Sequence, residues 1–184
     1  MNRYYLILIF FFISISAEAN IKERIIRNLN EINNINFNFK QTVNDKEEKG
    51  NCTIKFPNKI FCEYESNFSK ILVSNGKSLV IKSEKNKQYY RYSLENTPLS
   101  ILLNKKFIIK KLIDSEILLI NDKFYRLSIN EKDKIFNLFF ENINFEIVGW
   151  QTEDIYQNLT ITYIYDLKVN QKIEDEVFKL PKNN

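Results

Sequence analysis

The segment Ile35-Asn-Phe-Asn-Phe-Lys40 alternates strictly between apolar and polar residues, which sets Ile35, Phe37 and Phe39 on one face of a strand. Short runs of strand-forming residues then recur with turn signals between them. Residues 51–56 and 60–65 flank Pro57-Asn58, and 70–73 and 77–82 flank Ser74-Asn75-Gly76, whose Asn-Gly pair is a strong hairpin signal. Residues 87–92 follow the polar turn Glu84-Lys-Asn-Lys87. Connections this short join antiparallel strands, whereas a parallel crossover needs a dozen residues or more. A β-meander follows, and fifteen Phe and ten Tyr against only three Gly and three Pro agree with it.

Two places change period. In IKERIIRNLNEI, Ile21, Ile25, Ile26, Leu29 and Ile32 share one face at helical spacing. In ENTPLSILLNKKFIIKKLID, Thr97 and Pro98 form a helix start, and Leu99, Leu102, Leu103 and Phe107 give a short apolar face. Strands resume over 115–120, 123–129, 135–140, 144–149 and 158–167, with a short one near 177–180. The expectation is a mainly β (α+β) domain over 20–184, with ten or eleven strands and two or three short helices.

The first residues, MNRYYLILIFFFISISAEAN, carry one basic side chain, an apolar run from Leu6 to Ile15 and the small-x-small string Ala17-Glu18-Ala19. This is the form of a cleaved secretory signal, and its apolar core is too short for the roughly 20 residues that span a bilayer. The chain is expected to be exported and cut near Ala19. No cysteine stands at the cut, so lipid modification of the protein itself is not expected. The 27 basic and 23 acidic side chains are evenly spread, which speaks against nucleic acid as a partner.

The chain has no histidine, which removes the commonest general base, the commonest zinc ligand and every histidine triad. Carboxylate chemistry is what remains for an enzyme, with Glu63 and Glu65 or Glu153 and Asp154 as candidates. Glu63 and Glu65 alternate with Tyr64 as solvent-face residues do, and Glu153-Asp154 reads as a turn after Trp150. The only cysteines, Cys52 and Cys62, flank the Pro57 turn symmetrically. In an oxidising compartment a cross-strand disulfide is the expected product, with two buried thiols or a catalytic dithiol as alternatives. The dithiol lacks C-x-x-C spacing, and whether the two residues share a face depends on register.

Several strings, taken in order, resemble the periplasmic outer-membrane lipoprotein carrier (LolA-type) family: Phe39-Lys-Gln-Thr-Val43, Lys55-Phe-Pro-Asn58, Leu72-Val-Ser-Asn-Gly-Lys77 and Asn96-Thr-Pro-Leu99. The closing stretch from Trp150 to Asp154 through Asn158-Leu-Thr160, Asn170 and Phe178-Lys-Leu-Pro181 follows the same pattern. The resemblance implies an incompletely closed, curved antiparallel barrel of about eleven strands, lidded by short helices. It also implies a non-enzymatic, monomeric periplasmic chaperone without a cofactor. Such a chaperone takes acylated lipoproteins from an inner-membrane lipoprotein-releasing ABC transporter to an outer-membrane lipoprotein receptor. Many members have arginine immediately before the first proline, where this chain has Phe56, so that residue's role does not carry over.

The apolar strand positions exceed what short helices can cover. They include Phe37, Phe39, Ile54, Phe56, Ile60, Leu79, Ile81, Leu118, Phe136, Leu138 and Phe140. Phe37, Phe39, Ile54, Phe56, Ile60, Leu79, Ile81 and Leu138 are the candidate cavity wall, with Leu99, Leu102 and Leu103 as the lid; packed core is the competing role for each. The rival readings are a lipid-binding half-barrel of acceptor or envelope-stress-sensor type, and a secreted carboxylate-dependent hydrolase.

Overall fold

The computed structural model describes residues 20–65, 69–131, 134–153 and 158–183. The expected signal peptide over 1–19, and Asp154, lie outside the described residues. Helix α1 occupies residues 20–31. Its apolar stripe buries Ile25 and Leu29 against the sheet, and Ile21, Ile26 and Ile32 pack at the margin.

Six strands follow as hairpins: β1 (Asn34–Val43), β2 (Lys46–Lys55), β3 (Lys59–Tyr64), β4 (Lys70–Asn75), β5 (Ser78–Ser83) and β6 (Gln88–Ser93). Helices α2 (Leu99–Leu102) and α3 (Lys105–Asp114) then interrupt the sheet. Five more strands complete it: β7 (Ile117–Ile120), β8 (Phe124–Glu131), β9 (Lys134–Glu141), β10 (Ile147–Glu153) and β11 (Leu159–Val169). Because β11 returns to pair with β1, both meanders merge into one eleven-stranded antiparallel sheet running 6-5-4-3-2-1-11-10-9-8-7. It does not close, since β6 and β7 are its two ends.

Turn chemistry sets the register. Asn44 and Asp45 both adopt positive φ between β1 and β2, and Asn121 and Asp122 do so between β7 and β8; Asn and Asp tolerate this region best among residues other than glycine. Register slips between Asn36 and Asn38 and between Ile147 and Gly149 bend the strands as bulges do. At Gly149 a β-carbon would lie 2.2 Å from the Thr162 carbonyl oxygen, so only glycine lets β10 and β11 approach this closely.

The concave face holds the core. Phe37, Phe39, Ile54, Ile60, Leu127, Phe136, Leu138 and Phe140 are buried there with Ile25 and Leu29 of α1 and Leu102, Leu103, Ile108 and Leu112 of the lid. The lid is tied down at the β2–β3 turn: the Asn58 N–H donates to the Leu103 carbonyl. The Lys105 ammonium donates to the Ile32 carbonyl at 2.5 Å at the end of α1 and lies 5.8 Å from the Phe56 ring centroid. Burial lowers the pKa of Lys105. The Phe56–Pro57 bond in this turn is cis.

Four expectations need correction. The strand near 177–180 is instead a 3-10 turn, Asp175–Phe178. This segment straps the convex face, where Lys55 and Lys59 both bond to Asp175 at 2.6 and 3.0 Å. Hydrogen bonds from Lys55 and then Lys59 hold that carboxyl below its ordinary range. Phe178 is buried over β3 and β4, on the side where Val73 and Val80 are also buried. Second, the strand expected over 144–149 starts at Ile147, because the Glu141 carboxylate accepts from the N–H groups of Ile143 and Asn144 and fixes a turn there. Third, Glu153, expected in a turn with Asp154, is the last residue of β10. Fourth, Leu118 faces solvent at 49% exposure, because in β7 it is Ile117 that points inward.

Cys52 and Cys62 stand directly opposite in the β2–β3 register and form a disulfide, with Cα atoms 4.1 Å apart. Cross-linking so short a loop stabilises by about 2–3 kcal/mol on the chain-entropy account. The double variant Cys52→Ser/Cys62→Ser is expected to lose about that much in urea denaturation while keeping its far-UV circular dichroism. An unchanged midpoint would show that the bond contributes nothing to stability.

Candidate functional site

Inward-pointing residues change character along each strand. On β1 the concave row reads Ile35, Phe37, Phe39, Gln41, Val43; on β2, antiparallel to it, the row reads Ile54, Cys52, Gly50, Glu48, Lys46. On β11 Ile164 gives way to Thr162 and Thr160, on β10 Trp150 to Thr152, and on β4 Leu72 to Lys70. One end of the trough is therefore apolar and plugged by the helices, and the other is polar.

Between them lies a cavity of about 1170 Å³. Phe39, the disulfide, Ile60, Leu72, Ile81, Leu99, Phe136 and Trp150 form its apolar wall. Gln41, Glu48, Tyr64, Lys70, Thr152 and Thr162 stand at its polar rim.

Of the sequence-predicted residues, Phe39, Ile60, Ile81 and Leu99 line this space. Phe37, Ile54, Leu79, Leu102, Leu103 and Leu138 are packed in the core behind it, and Phe56 lies against the same core at the β2–β3 turn. The disulfide is expected from the sequence as a staple and not as cavity wall, and Trp150, Gln41, Glu48, Tyr64, Lys70, Thr152 and Thr162 are not among the sequence-predicted site residues. Extending the alternation of Ile35, Phe37 and Phe39 to Gln41 would have found that residue, but the rest depend on cross-strand register. Of the candidate carboxylates, Glu63 is exposed in β3, while Glu65 and Glu153 reach the rim. Among the described residues no group of three or more His, Cys, Asp or Glu side chains is placed to hold a metal.

The rim is organised around Tyr64. Its ring packs edge-on against Phe39, centroids 5.1 Å apart, and Lys70 Nζ lies 3.8 Å from its centroid. Lys70 in turn donates to both Glu48 oxygens, at 2.5 and 2.6 Å. Burial, and then the nearby Glu48 charge, push the Tyr64 hydroxyl pKa well above its ordinary value, so it stays a protonated donor. Gln41 Nε2 donates to Thr162 Oγ1 at 2.9 Å across β1 and β11.

Gly50 makes the Phe39–Tyr64 contact possible. It faces Tyr64 in the β2–β3 register, and a β-carbon there would lie 2.1 Å from the Glu63 carbonyl oxygen and 2.8 Å from the Phe39 ring. Backbone on one side and the cavity wall on the other leave no room. Gly50→Ala is expected to destabilise the protein by about 1–3 kcal/mol, the cost of overpacking, measured by urea denaturation. A variant as stable as the parent would show that β2 and β3 separate without cost.

The comparisons with known proteins agree with this architecture. The family description "Outer membrane lipoprotein carrier protein LolA" matches residues 30–181. No curated protein sequence matches the chain. An uncharacterized conserved protein from Thermus thermophilus shares the fold at 8% identity and TM-score 0.52, over 90% of this chain and 95% of that one. MucB matches at 10% identity and TM-score 0.50, over 91% of this chain and 64% of MucB, so this chain spans under two thirds of MucB's length. A LolA superfamily protein from Nitrosomonas europaea aligns at 13% identity and TM-score 0.45, over 89% and 97% of the two chains. The family match runs from the end of α1 through the C-terminal strap, and the chain belongs to the outer membrane lipoprotein carrier protein LolA family.

Proposed function

We propose that this protein is a periplasmic carrier of acylated lipoproteins. It takes up acyl chains that leave the inner membrane through an ATP-driven releasing transporter and delivers them to an outer-membrane receptor. The observation that supports this most is the cavity itself: about 1170 Å³, walled by apolar side chains and sheltered by a helical lid. That exceeds the roughly 300–1,000 Å³ of ordinary small-molecule pockets. One acyl chain of about fifteen methylenes, at about 0.8 kcal/mol each, costs on the order of 12 kcal/mol to expose to water, so a lipoprotein crossing an aqueous gap needs such a cover. Membership of the family supports the same reading.

The lining fits this cargo. Acyl chains need no directed hydrogen bonds, and Phe39, Ile60, Ile81, Leu99, Phe136, Trp150 and the disulfide offer almost none. The proposed wall is completed by Phe37, Ile54, Phe56, Leu79, Leu102, Leu103 and Leu138, which movement of the lid opens to cargo. Lid movement has specific ties to break: the Asn58–Leu103 hydrogen bond and the Lys105–Ile32 bond. No chemical step is assigned to the protein.

Vesicles carrying a synthetic triacylated lipopeptide test the proposal. Incubation with the protein is expected to move lipopeptide into the supernatant as a soluble complex, whereas the deacylated peptide forms none. Ile60→Asp, which places a charge on the cavity wall, is expected to cut the yield of complex at least about tenfold. Failure of the parent protein to extract any triacylated lipopeptide would overturn the carrier reading.

A further inference from the structure

The rows of side chains on the concave face do not end inside the molecule. One row runs in register from Phe37 through Cys52, Cys62, Leu72 and Ile81 to Tyr90, and the next from Ile54 through Ile60, Ser74 and Leu79 to Tyr92. Every member is buried or half-buried until the last, where Tyr90 and Tyr92 stand on the concave side of β6 at 47% exposure each. Ile81, the immediate neighbour of Tyr90, lines the cavity together with Leu99. The cavity wall therefore continues onto an open sheet edge at β6. β7, the other end of the sheet, has no such continuity, since no described residue of β7 or β8 lines the cavity.

The edge itself is unpaired. The Leu94 N–H donates to the Lys77 carbonyl at 2.9 Å, which fixes the phase of the β5–β6 ladder. Gln88, Tyr90 and Tyr92 therefore turn their backbone groups toward β5, and Tyr89 and Arg91 turn theirs out of the sheet. Among the described residues, none pairs with those outward groups. Sheet edges are ordinarily blunted by a proline, a bulge or an inward-pointing charge. β6, Gln-Tyr-Tyr-Arg-Tyr-Ser, has no proline, and its register with β5 runs unbroken. Its one charge lies on the convex side, where Arg91 donates to Ser78 Oγ at 3.1 Å and Tyr89 donates to the Pro181 carbonyl at 3.3 Å. Both side chains are held away from the cavity and leave the edge clear.

We propose that β6 receives the first residues of the cargo polypeptide as an added strand, with Tyr90 and Tyr92 packing against its cavity side. This rests on the reading of the cavity as an acyl-chain site and adds the place of the attached peptide. The acyl chains and the start of the polypeptide are covalently joined, and an added strand lies two strand spacings, about 10 Å, from Ile81 in the wall. A peptide that leaves the cavity past Ile81 meets the edge at once. Recognition through main-chain N–H and C=O groups reads no sequence, which is what a carrier of lipoproteins with unrelated sequences requires. Tyrosine offers an apolar ring with a polar tip, suited to covering peptide side chains at the border of water.

Two ligands separate the contributions: a synthetic triacylated lipopeptide, and its triacylated residue alone as the methyl ester. Backbone amide exchange, followed residue by residue by NMR, is expected to slow at Tyr89 and Arg91 by at least about tenfold with the lipopeptide and not with the ester. The parent protein is expected to bind the lipopeptide about tenfold more tightly than the ester, the worth of two or three net backbone hydrogen bonds. Arg91→Pro removes an outward N–H without touching the β5–β6 ladder. It is expected to lose that preference while binding the ester as the parent does, and Arg91→Ala to keep it. The exchange measurement needs no variant and decides by itself. Equal affinity for both ligands with no protection at β6, or a preference that Arg91→Pro keeps, overturns the added strand and leaves the acyl-chain cavity standing. Protection at β6 without ligand that grows with protein concentration, alongside a dimer mass, makes a second copy the occupant and overturns it too. Binding of neither ligand contradicts the acyl-chain reading itself.

Discussion

The pairing of β1 with β11 is the contact on which the rest depends. It joins the six strands before the helical interruption to the five after it, and so turns two meanders into one sheet with one concave face. Because the chain spends residues 94–114 on a 3-10 turn and helices α2 and α3 instead of strands, the remaining ends β6 and β7 do not meet. A closed barrel widens with strand number, and side chains alone fill it only at about eight strands. The open one leaves a trough, and the helices that prevent closure are the ones that cover it.

The trough has a direction. Beyond the two bulges, alternation keeps each inward row continuous, so the change from Ile, Phe and Leu to Gln, Thr, Glu and Lys happens on neighbouring strands at the same height. α1 and the α2–α3 lid plug the apolar end, and the Asn58–Leu103 and Lys105–Ile32 bonds hold them at the β2–β3 turn. The disulfide joins β2 and β3 within the wall and fixes the spacing of the strands from which Ile60, Tyr64 and Glu48 project. On the outside, the C-terminal strap buries Phe178 over β3 and β4, on the side where Val73 and Val80 are also buried, a second apolar layer separate from the cavity. The fold thus uses its hydrophobic residues in three ways: packed core, cavity wall and strap.

Much of this was legible in the chain because it rests on local physics. The alternation of Ile35, Phe37 and Phe39, the Asn75-Gly76 hairpin and the Thr97-Pro98 helix start each specify their element within a few residues, and together they led to an antiparallel meander interrupted by helices; the open, lidded barrel was what the family resemblance implied. Cys52 and Cys62 were legible as a pair, though only register shows that they face each other. What stayed hidden depends on contacts between distant segments. Leu118 and Ile117 are equally apolar, and only the pairing of β7 with β8 decides which one turns inward. Residues 177–180 read as a strand in isolation, but the Lys55 and Lys59 bonds to Asp175 and the burial of Phe178 over β3 and β4 hold the segment across the sheet instead. Tyr64, Glu48 and Lys70 come from three strands, and only register brings them together at the rim.

The account stands on the cavity being filled with acyl chains as the protein does its work. Native mass spectrometry of the protein purified from the exported fraction of cells, without detergent, tests this most directly. The account predicts a population whose added mass is released by organic extraction and fragments to fatty acyl groups, and which Ile60→Asp abolishes. Protein that carries no acylated species, or that carries glycans instead, would contradict it.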